Sequence, residues 1–177
     1  MRTLINLTKL FTLLIICIGA TSCNNNDEEK DTRDEILGIY MYTRTGTIAT
    51  TPINGEPKSN AVNETGLMEI RKKEHDNSTT AIELVYVDEA GFWKGSVSNG
   101  IYSNGKLTLE PRNPIKTSSI TSNGVSHTYV TQEKIVYSEA AFNNGFTISI
   151  TTTGTETKDG SPYSTISGNE ELKLVKQ

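Results

Sequence analysis

The chain has few of the residues that form covalent cross-links. Its 177 residues include only two cysteines, and Cys17 lies inside an apolar N-terminal segment that ends shortly before Cys23. That spacing and context argue against a disulfide between the two thiols. The folded part is therefore expected to depend on non-covalent packing.

A basic surface is also missing. The formal net charge is −4, with 21 acidic against 17 basic residues. Arg2 and Lys9 fall in the N-terminal segment, and the stretch 27–35 is strongly acidic, so the remaining body is close to neutral. Without a basic stripe there is little to attract a phosphate backbone, and we predict no nucleic-acid partner.

Motifs that carry catalysis are absent from the sequence. There is no His-Glu-x-x-His, no cysteine pair with metal-ligand spacing, no calcium-loop spacing and no Gly-x-Ser-x-Gly. The two histidines are isolated: His75 sits in a polar turn and His127 at the start of a strand. We therefore predict a protein that is not an enzyme and holds no metal or cofactor.

The only long apolar run is at the N-terminus. About ten residues from Leu10 to Ile18 follow the basic residues Arg2 and Lys9, too few to cross the ~30 Å hydrocarbon core. Small residues at 19–22 complete the three-part layout of a secretory signal. A buried core helix is the alternative, but the run has no polar face. We predict that residues 1–22 are a signal peptide.

The segment Ala20-Thr21-Ser22-Cys23 resembles a bacterial lipobox. The resemblance implies acylation of Cys23 and cleavage before it, so the chain would be held to a membrane by its N-terminal lipid. Residues 23–35 are polar and acidic and are predicted to be a flexible tether. They resemble the acidic stretch of surface-exported Bacteroidetes lipoproteins, which implies the outer membrane and the cell surface, with a periplasm-facing anchor as the alternative.

Residues 36–177 are predicted to be a single all-β domain. Apolar residues recur at every second position, and Gly, Asn, Asp and Pro interrupt them at short intervals. Asn104-Gly105 is the strongest hairpin signal. We expect an irregular connection over 49–63, a turn at 98–100 and a short helical turn near 138–142. The predicted strands are 36–48, 64–74, 79–88, 92–97, 101–102, 106–110, 115–122, 126–138, 145–157 and 162–175.

About 8–10 strands joined by short turns make an antiparallel meander, which must close into a barrel or fold into a two-sheet β-sandwich. The opening Gly38-Ile39-Tyr40 resembles the Gly-x-Trp of lipocalin-like (calycin) barrels. That resemblance implies an up-and-down barrel in which Tyr40 plugs the closed end and Lys173 or Lys176 packs over it.

Aromatic side chains are the candidates for binding. In a barrel they would line the interior for a small apolar or glycan-like ligand, or would simply fill it. The alternative function is a surface interaction or adhesion module that binds a protein or glycan through its loops. An interior pocket of ~300 Å³ or more would favour the first function. The candidate ligand-binding residues are Tyr40, Tyr86, Trp93, Tyr102, Tyr129 and Tyr137.

Overall fold

The computed structural model describes residues 31–87 and 93–177, with the backbone alone at 93, 94, 96 and 97. Thr32–Gln177 form one compact unit. A 3-10 helix, Thr32–Glu35, precedes ten strands. The strands are β1 (Gly38–Pro52), β2 (Lys58–Lys72), β3 (Ala81–Val87), β4 (Trp93–Ser103), β5 (Lys106–Leu109), β6 (Ile115–Ser122), β7 (Val125–Tyr137), β8 (Ala140–Ala141), β9 (Gly145–Lys158) and β10 (Ser161–Lys176).

All ten strands belong to one antiparallel sheet, in the order β6-β7-β9-β10-β1-β2-β3-β4-β5-β8. Arg112, which lies between β5 and β6, exchanges two backbone hydrogen bonds with Ile135 of β7, at 3.0 and 2.8 Å. The segment from β5 to β6 therefore pairs first with β4 and then with β7, and the sheet curls into a half-barrel. This confirms the all-β antiparallel meander and the up-and-down arrangement, and the two-sheet sandwich is not formed.

Strand length divides the domain into two halves. β2 pairs with β3 only through Leu67–Lys72, because β3 is seven residues long and β2 fifteen. Beyond that point the described part of the sheet continues as six strands, β6, β7, β9, β10, β1 and β2. We call this six-stranded part the extension and the other half the closed end.

The hydrophobic core fills the closed end. Its buried members include Tyr40, Ile70, Phe146 and Leu174, which lie on β1, β2, β9 and β10. They face the core because side chains alternate between the two faces of a sheet along each strand. Ile36 follows the 3-10 helix and packs into the same core. The folded unit thus includes Thr32–Glu35, which the sequence assigns to the tether.

Polar contacts secure the 3-10 helix and the residue that follows it, Ile36, across the closed end. The Tyr40 hydroxyl donates to the Ile36 carbonyl at 2.7 Å, and Arg33 donates to the Ala81 carbonyl at 2.9 Å. Lys176, the β10 residue opposite Tyr40, donates to the Glu35 carbonyl at 2.6 Å. Lys173 is exposed, so Lys176 is the one of these two lysines that lies near Tyr40.

The structure corrects three local predictions. Residues 98–100 do not turn, since β4 is continuous and Gly100 lies where a Cβ would be 2.7 Å from the Thr108 carbonyl oxygen. The expected 49–63 loop is mostly strand, because β1 and β2 continue as a hairpin paired to β10. Near 138–142 the chain forms the short strand β8 rather than a helical turn.

The Asn104-Gly105 turn is confirmed. Both residues have positive φ, 53° and 74°, as a two-residue hairpin turn of this type requires. Asn123-Gly124 and Asp159-Gly160 have the same conformation and join β6 to β7 and β9 to β10. No helix within residues 31–87 and 93–177 is long and apolar enough to cross a membrane.

Candidate functional site

Two of the six candidate aromatic residues fill the closed end. Tyr40 and Tyr102 have 0% and 1% of their surface exposed. Burial raises the pKa of Tyr40 to about 12. Burial, together with the hydrogen bond that its hydroxyl donates to the Glu35 carboxylate, also raises the pKa of Tyr102. These side chains therefore act as core residues.

Two others, Tyr86 and Tyr137, meet where the core ends and the extension begins. They lie beside a cavity of about 60 Å³. Burial raises the pKa of both hydroxyls, and the nearby Arg112 guanidinium partly opposes this rise at Tyr137. The cavity is lined by Arg44, Tyr86, Arg112, Ile135, Tyr137, Ile150 and Leu172.

An ion pair lies at this junction. Arg44 Nε is 2.6 Å from Glu170 Oε2, and the Glu170 side chain is fully buried. No well-aligned hydrogen bond joins these two atoms, so the contact is electrostatic. Burial lowers the pKa of Arg44, but the contacts with Glu170 outweigh that effect and the net shift is upward. We call Arg44, Tyr86, Arg112, Tyr137 and Glu170 the polar cluster.

The size of this cavity limits what it can hold. Pockets for drug-sized ligands have volumes of roughly 300–1,000 Å³, whereas a water molecule takes about 30 Å³ in the liquid. The 60 Å³ beside Tyr86 and Tyr137 fits about two waters or one small polar group. The cavity beside the polar cluster is thus too small for a drug-sized ligand.

The fifth aromatic residue, Tyr129, lies near the far end of the extension. Its ring packs edge-to-face on Tyr163, with centroids 5.5 Å apart. Lys158, its β9 partner, places its ammonium 5.8 Å from the Tyr129 ring centroid. Tyr163 keeps 41% of its surface exposed. The Tyr163 ring is therefore open to solvent, and the half-buried Tyr129 ring beside it has a cation over its face.

A charged contact borders these aromatic rings. His127 Nδ1 is 2.6 Å from Asp159 Oδ2, and the Thr128 amide donates to Asp159 Oδ1 at 2.8 Å. The Thr128 hydrogen bond, followed by the contact with His127, lowers the pKa of Asp159. We call His127, Tyr129, Lys158, Asp159 and Tyr163 the tip cluster.

The tip cluster is remote from the N-terminal end of the domain. The β1–β2, β6–β7 and β9–β10 turns all lie at the end of the extension, whereas the 3-10 helix lies across the closed end. The Ile53 amide donates to the Tyr163 carbonyl at 3.1 Å, which joins the β1–β2 turn to the cluster. Ile53 itself is 58% exposed. The free end of the extension therefore combines aromatic, apolar and charged groups.

The remaining candidates lie outside what the structure describes. Cys23 precedes residue 31, and only the backbone of Trp93 is described, paired with Val87. Sequence reasoning missed Arg44, Arg112, Glu170 and Tyr163. A signal was available for two of them: Arg44 and Glu170 occupy inward positions by alternation from Tyr40 and Leu172, so they place charge where an apolar side chain is expected.

In the described part of the chain, no group of three or more His, Cys, Asp or Glu side chains could hold a metal ion. No protein-family model matches the chain, and searches of curated proteins and of solved structures find no similar protein.

Proposed function

We propose that this chain is a lipid-anchored protein of the outer membrane, displayed at the cell surface, with a non-enzymatic binding role. Its partner is a glycan, which the tip cluster at the free end of the extension recognises. Of the two functions that the sequence leaves open, this is the surface interaction module. The observation that carries it is the aromatic pair of the half-buried Tyr129 and the exposed Tyr163, with the charged groups beside it.

The filled closed end supports this choice over a ligand enclosed in a barrel. Tyr40 and Tyr102 are core residues, and the cavity beside Tyr86 and Tyr137 is about 60 Å³. A lipid-like or glycan ligand would need several times that volume. Binding at an exposed surface requires no interior space.

The chemistry of the tip cluster suits a sugar ring. A pyranose has an apolar C–H face and a rim of hydroxyls, so it needs a flat apolar surface and polar partners at its edge. The exposed Tyr163 ring supplies that surface, and Tyr129 packs against it edge-to-face. Asp159, His127 and Lys158 supply an acceptor, an imidazole and a cation next to it.

The proposed anchor and the tip cluster suit each other. Acylation at Cys23 would attach the chain to the membrane near the closed end, where residue 32 enters the fold. Fifteen residues of β1 at about 3.3 Å each extend roughly 50 Å, so the tip cluster lies far along the domain from residue 32. A glycan on another cell or in the medium could then reach it.

The test uses the full chain, solubilised in mild detergent, on an array of neutral and acidic polysaccharides. We expect Tyr163→Ala to weaken binding at least about tenfold, because stacking area is lost, and Tyr163→Phe to retain most of it. Val175→Ala is the matched control, since Val175 is 45% exposed but lies at the closed end. Absence of polysaccharide binding, or binding that Tyr163→Ala leaves unchanged, would refute the proposal.

A second candidate is a small ligand at the polar cluster, favoured by the convergence of two tyrosines and two arginines on one cavity. A group of water or carboxylate size fits there. Native mass spectrometry of the chain purified from its own host would detect such a molecule. We expect Tyr137→Phe to reduce the bound fraction, and a spectrum without added mass would dismiss this candidate.

A further inference from the structure

β6 is an edge strand without the usual protection. Among the described residues it pairs on one side only, with β7. All eight residues from Ile115 to Ser122 are exposed, none is proline, and the register with β7 has no bulge. Its single charge, Lys116, is bound to Glu133 of β7 at 3.1 Å. Natural sheets block edges with charges, prolines, bulges or short strands, and β6 has almost none of these devices.

The hydrogen-bond pattern shows which backbone groups are free. Arg112 and Ile135 exchange both of their backbone hydrogen bonds, and β6 continues the same register with β7. In an antiparallel pair such residues alternate with non-bonded ones. The even-numbered residues of β6 therefore bond to β7, and the odd-numbered residues aim their N–H and C=O groups at the open edge. These are Ile115, Thr117, Ser119 and Thr121.

The other edges of the sheet differ. β8 is two residues long, which offers little to pair with. Among the described residues, the part of β2 from Lys58 to Gly66 pairs on one side only, with β1, but it carries Lys58 and Glu64, and Glu64 is bound to Arg44. β6 is thus the one long, nearly uncharged edge in the described part of the chain.

We infer that β6 pairs with β6 of a second copy of this chain, antiparallel about a two-fold axis at Ser118. In this register Thr117 lies opposite Ser119 of the second copy, and Ile115 opposite Thr121. All four odd-numbered residues of each strand then bond across the axis, which satisfies every free backbone group of the edge.

The side chains are compatible with this pairing. Lys116 lies beside Ile120 of the second copy rather than beside the second Lys116, so no like charges face each other. Ile120 and Ile115, which are 55% and 67% exposed, each gain a neighbour across the axis. Because the interface is the same patch on both copies and each copy has one such edge, assembly stops at the dimer.

Disulfide trapping tests the axis position. Ser118 of the two copies would form a non-hydrogen-bonded pair with Cα atoms about 4.5 Å apart, within reach of a disulfide. We expect Ser118→Cys in the full chain to give a covalent dimer under mild oxidation. Ser126→Cys on β7 is the matched control. Each intervening strand adds about 5 Å between the substituted residues of the two copies, so these thiols would be too far apart to form a disulfide. The unsubstituted chain measures the background from Cys17 and Cys23.

Charge exchange tests the identity of the partner. Thr117→Lys with Ser119→Lys places two like-charged pairs across the axis and should weaken self-association at least about tenfold. The variant with glutamates at both positions should behave likewise, and mixing the two should restore the dimer. Lysines at Ser126 and Thr128, one strand inward, are the control and should leave association unchanged.

Sedimentation of the full chain in detergent gives the readout. A concentration-dependent dimer, abolished and restored as described, supports the inference. A monomer at every concentration, a higher oligomer, or Ser118→Cys linked only to other envelope proteins would overturn it. Tyr163→Ala should dimerise normally, so failure of glycan binding and failure of dimerisation are separate results.

Discussion

Arg44 on β1 and Glu170 on β10 form an ion pair inside the sheet, with Nε and Oε2 2.6 Å apart. The Glu170 side chain is fully buried, and the Arg44 side chain keeps 23% of its surface exposed. The pair lies where the apolar core gives way to the polar extension. It allows the sheet to continue past the core without an unpaired buried charge.

Removing one member of this pair should cost more stability than removing both. Arg44→Met leaves a buried carboxylate unpaired, for which we expect a loss of about 3–5 kcal/mol. The double variant Arg44→Met/Glu170→Met should recover much of that loss, because no charge remains. Urea unfolding measures both.

The control for this experiment is Lys106→Met. Lys106 and Glu139 are also 2.6 Å apart, but both side chains are more than half exposed. Loss of this exposed ion pair should lower the free energy of unfolding by less than about 1 kcal/mol. Equal losses at Arg44 and Lys106 would contradict the role assigned to burial.

Gly46 makes room for Glu170. It lies opposite Glu170 with φ +151°, and a Cβ there would be 2.4 Å from the Asn169 carbonyl oxygen and 2.6 Å from Glu170 Cα. We expect Gly46→Ala to lower the free energy of unfolding by about 2–4 kcal/mol. Gly124→Ala, at a turn with no atom within 4 Å, should cost about 1 kcal/mol. Similar losses for the two variants would argue against the close approach.

The Asp159 contacts should depend on pH. Since folding lowers the pKa of Asp159 below its ordinary 3.8, its stabilising effect is present above about pH 4 and is lost as pH falls through the lower folded value. NMR of the Thr128 amide from pH 6 to pH 2 should report this loss.

Asp159→Asn should remove the pH response of the Thr128 amide. Asp76 is the internal comparison, because its pKa is also lowered, by hydrogen bonds from Ser78, yet it lies in the β2–β3 connection. Asp76→Asn should therefore leave the Thr128 signal as it is. If the NMR signal of the Thr128 amide does not change between pH 6 and pH 2, its coupling to the Asp159 carboxylate is disproved.

Membrane attachment should depend on Cys23 alone. Cys23→Ala removes the thiol that would carry the lipid, and we expect the protein to leave the membrane fraction. Cys17→Ala should remain membrane-bound, because that residue belongs to the predicted signal peptide. Fractionation of the native host with immunodetection decides this. A Cys23→Ala protein that still sediments with membranes would refute the lipid anchor.

Local pattern was sufficient for the strands and several turns. Residues 115–122 form β6 as predicted, and Asn104-Gly105 turns as its dipeptide requires. Where the prediction failed, strand pairing outweighed the local preference of Gly, Pro and Asn for turns. The sequence predicts a turn at Gly100, but this residue lies within β4, where its lack of a side chain lets β5 approach closely. The sequence also predicts an irregular segment near Pro52, but pairing with β10 keeps it in a strand.

The candidate site was predicted less well. Alternation places Tyr40, Tyr86, Tyr137 and Tyr129 on one face of the sheet, but it cannot tell a filled barrel from an open one. That depends on how far each strand extends beside its neighbour, and β2 continues beyond Leu67–Val87, the last of its described pairs with β3. The same face is therefore core at Tyr40 and open surface near Tyr129.

By itself, the sequence determined the all-β class, the period-two burial and the positions of the tight turns, because these depend on local backbone preferences and on side-chain alternation. Only the tertiary structure decided that Arg44 meets Glu170, that Tyr163 stacks on Tyr129, and that β6 has an open edge. Each of these joins residues far apart in the chain, and register and relative strand length, which no local pattern encodes, bring them together.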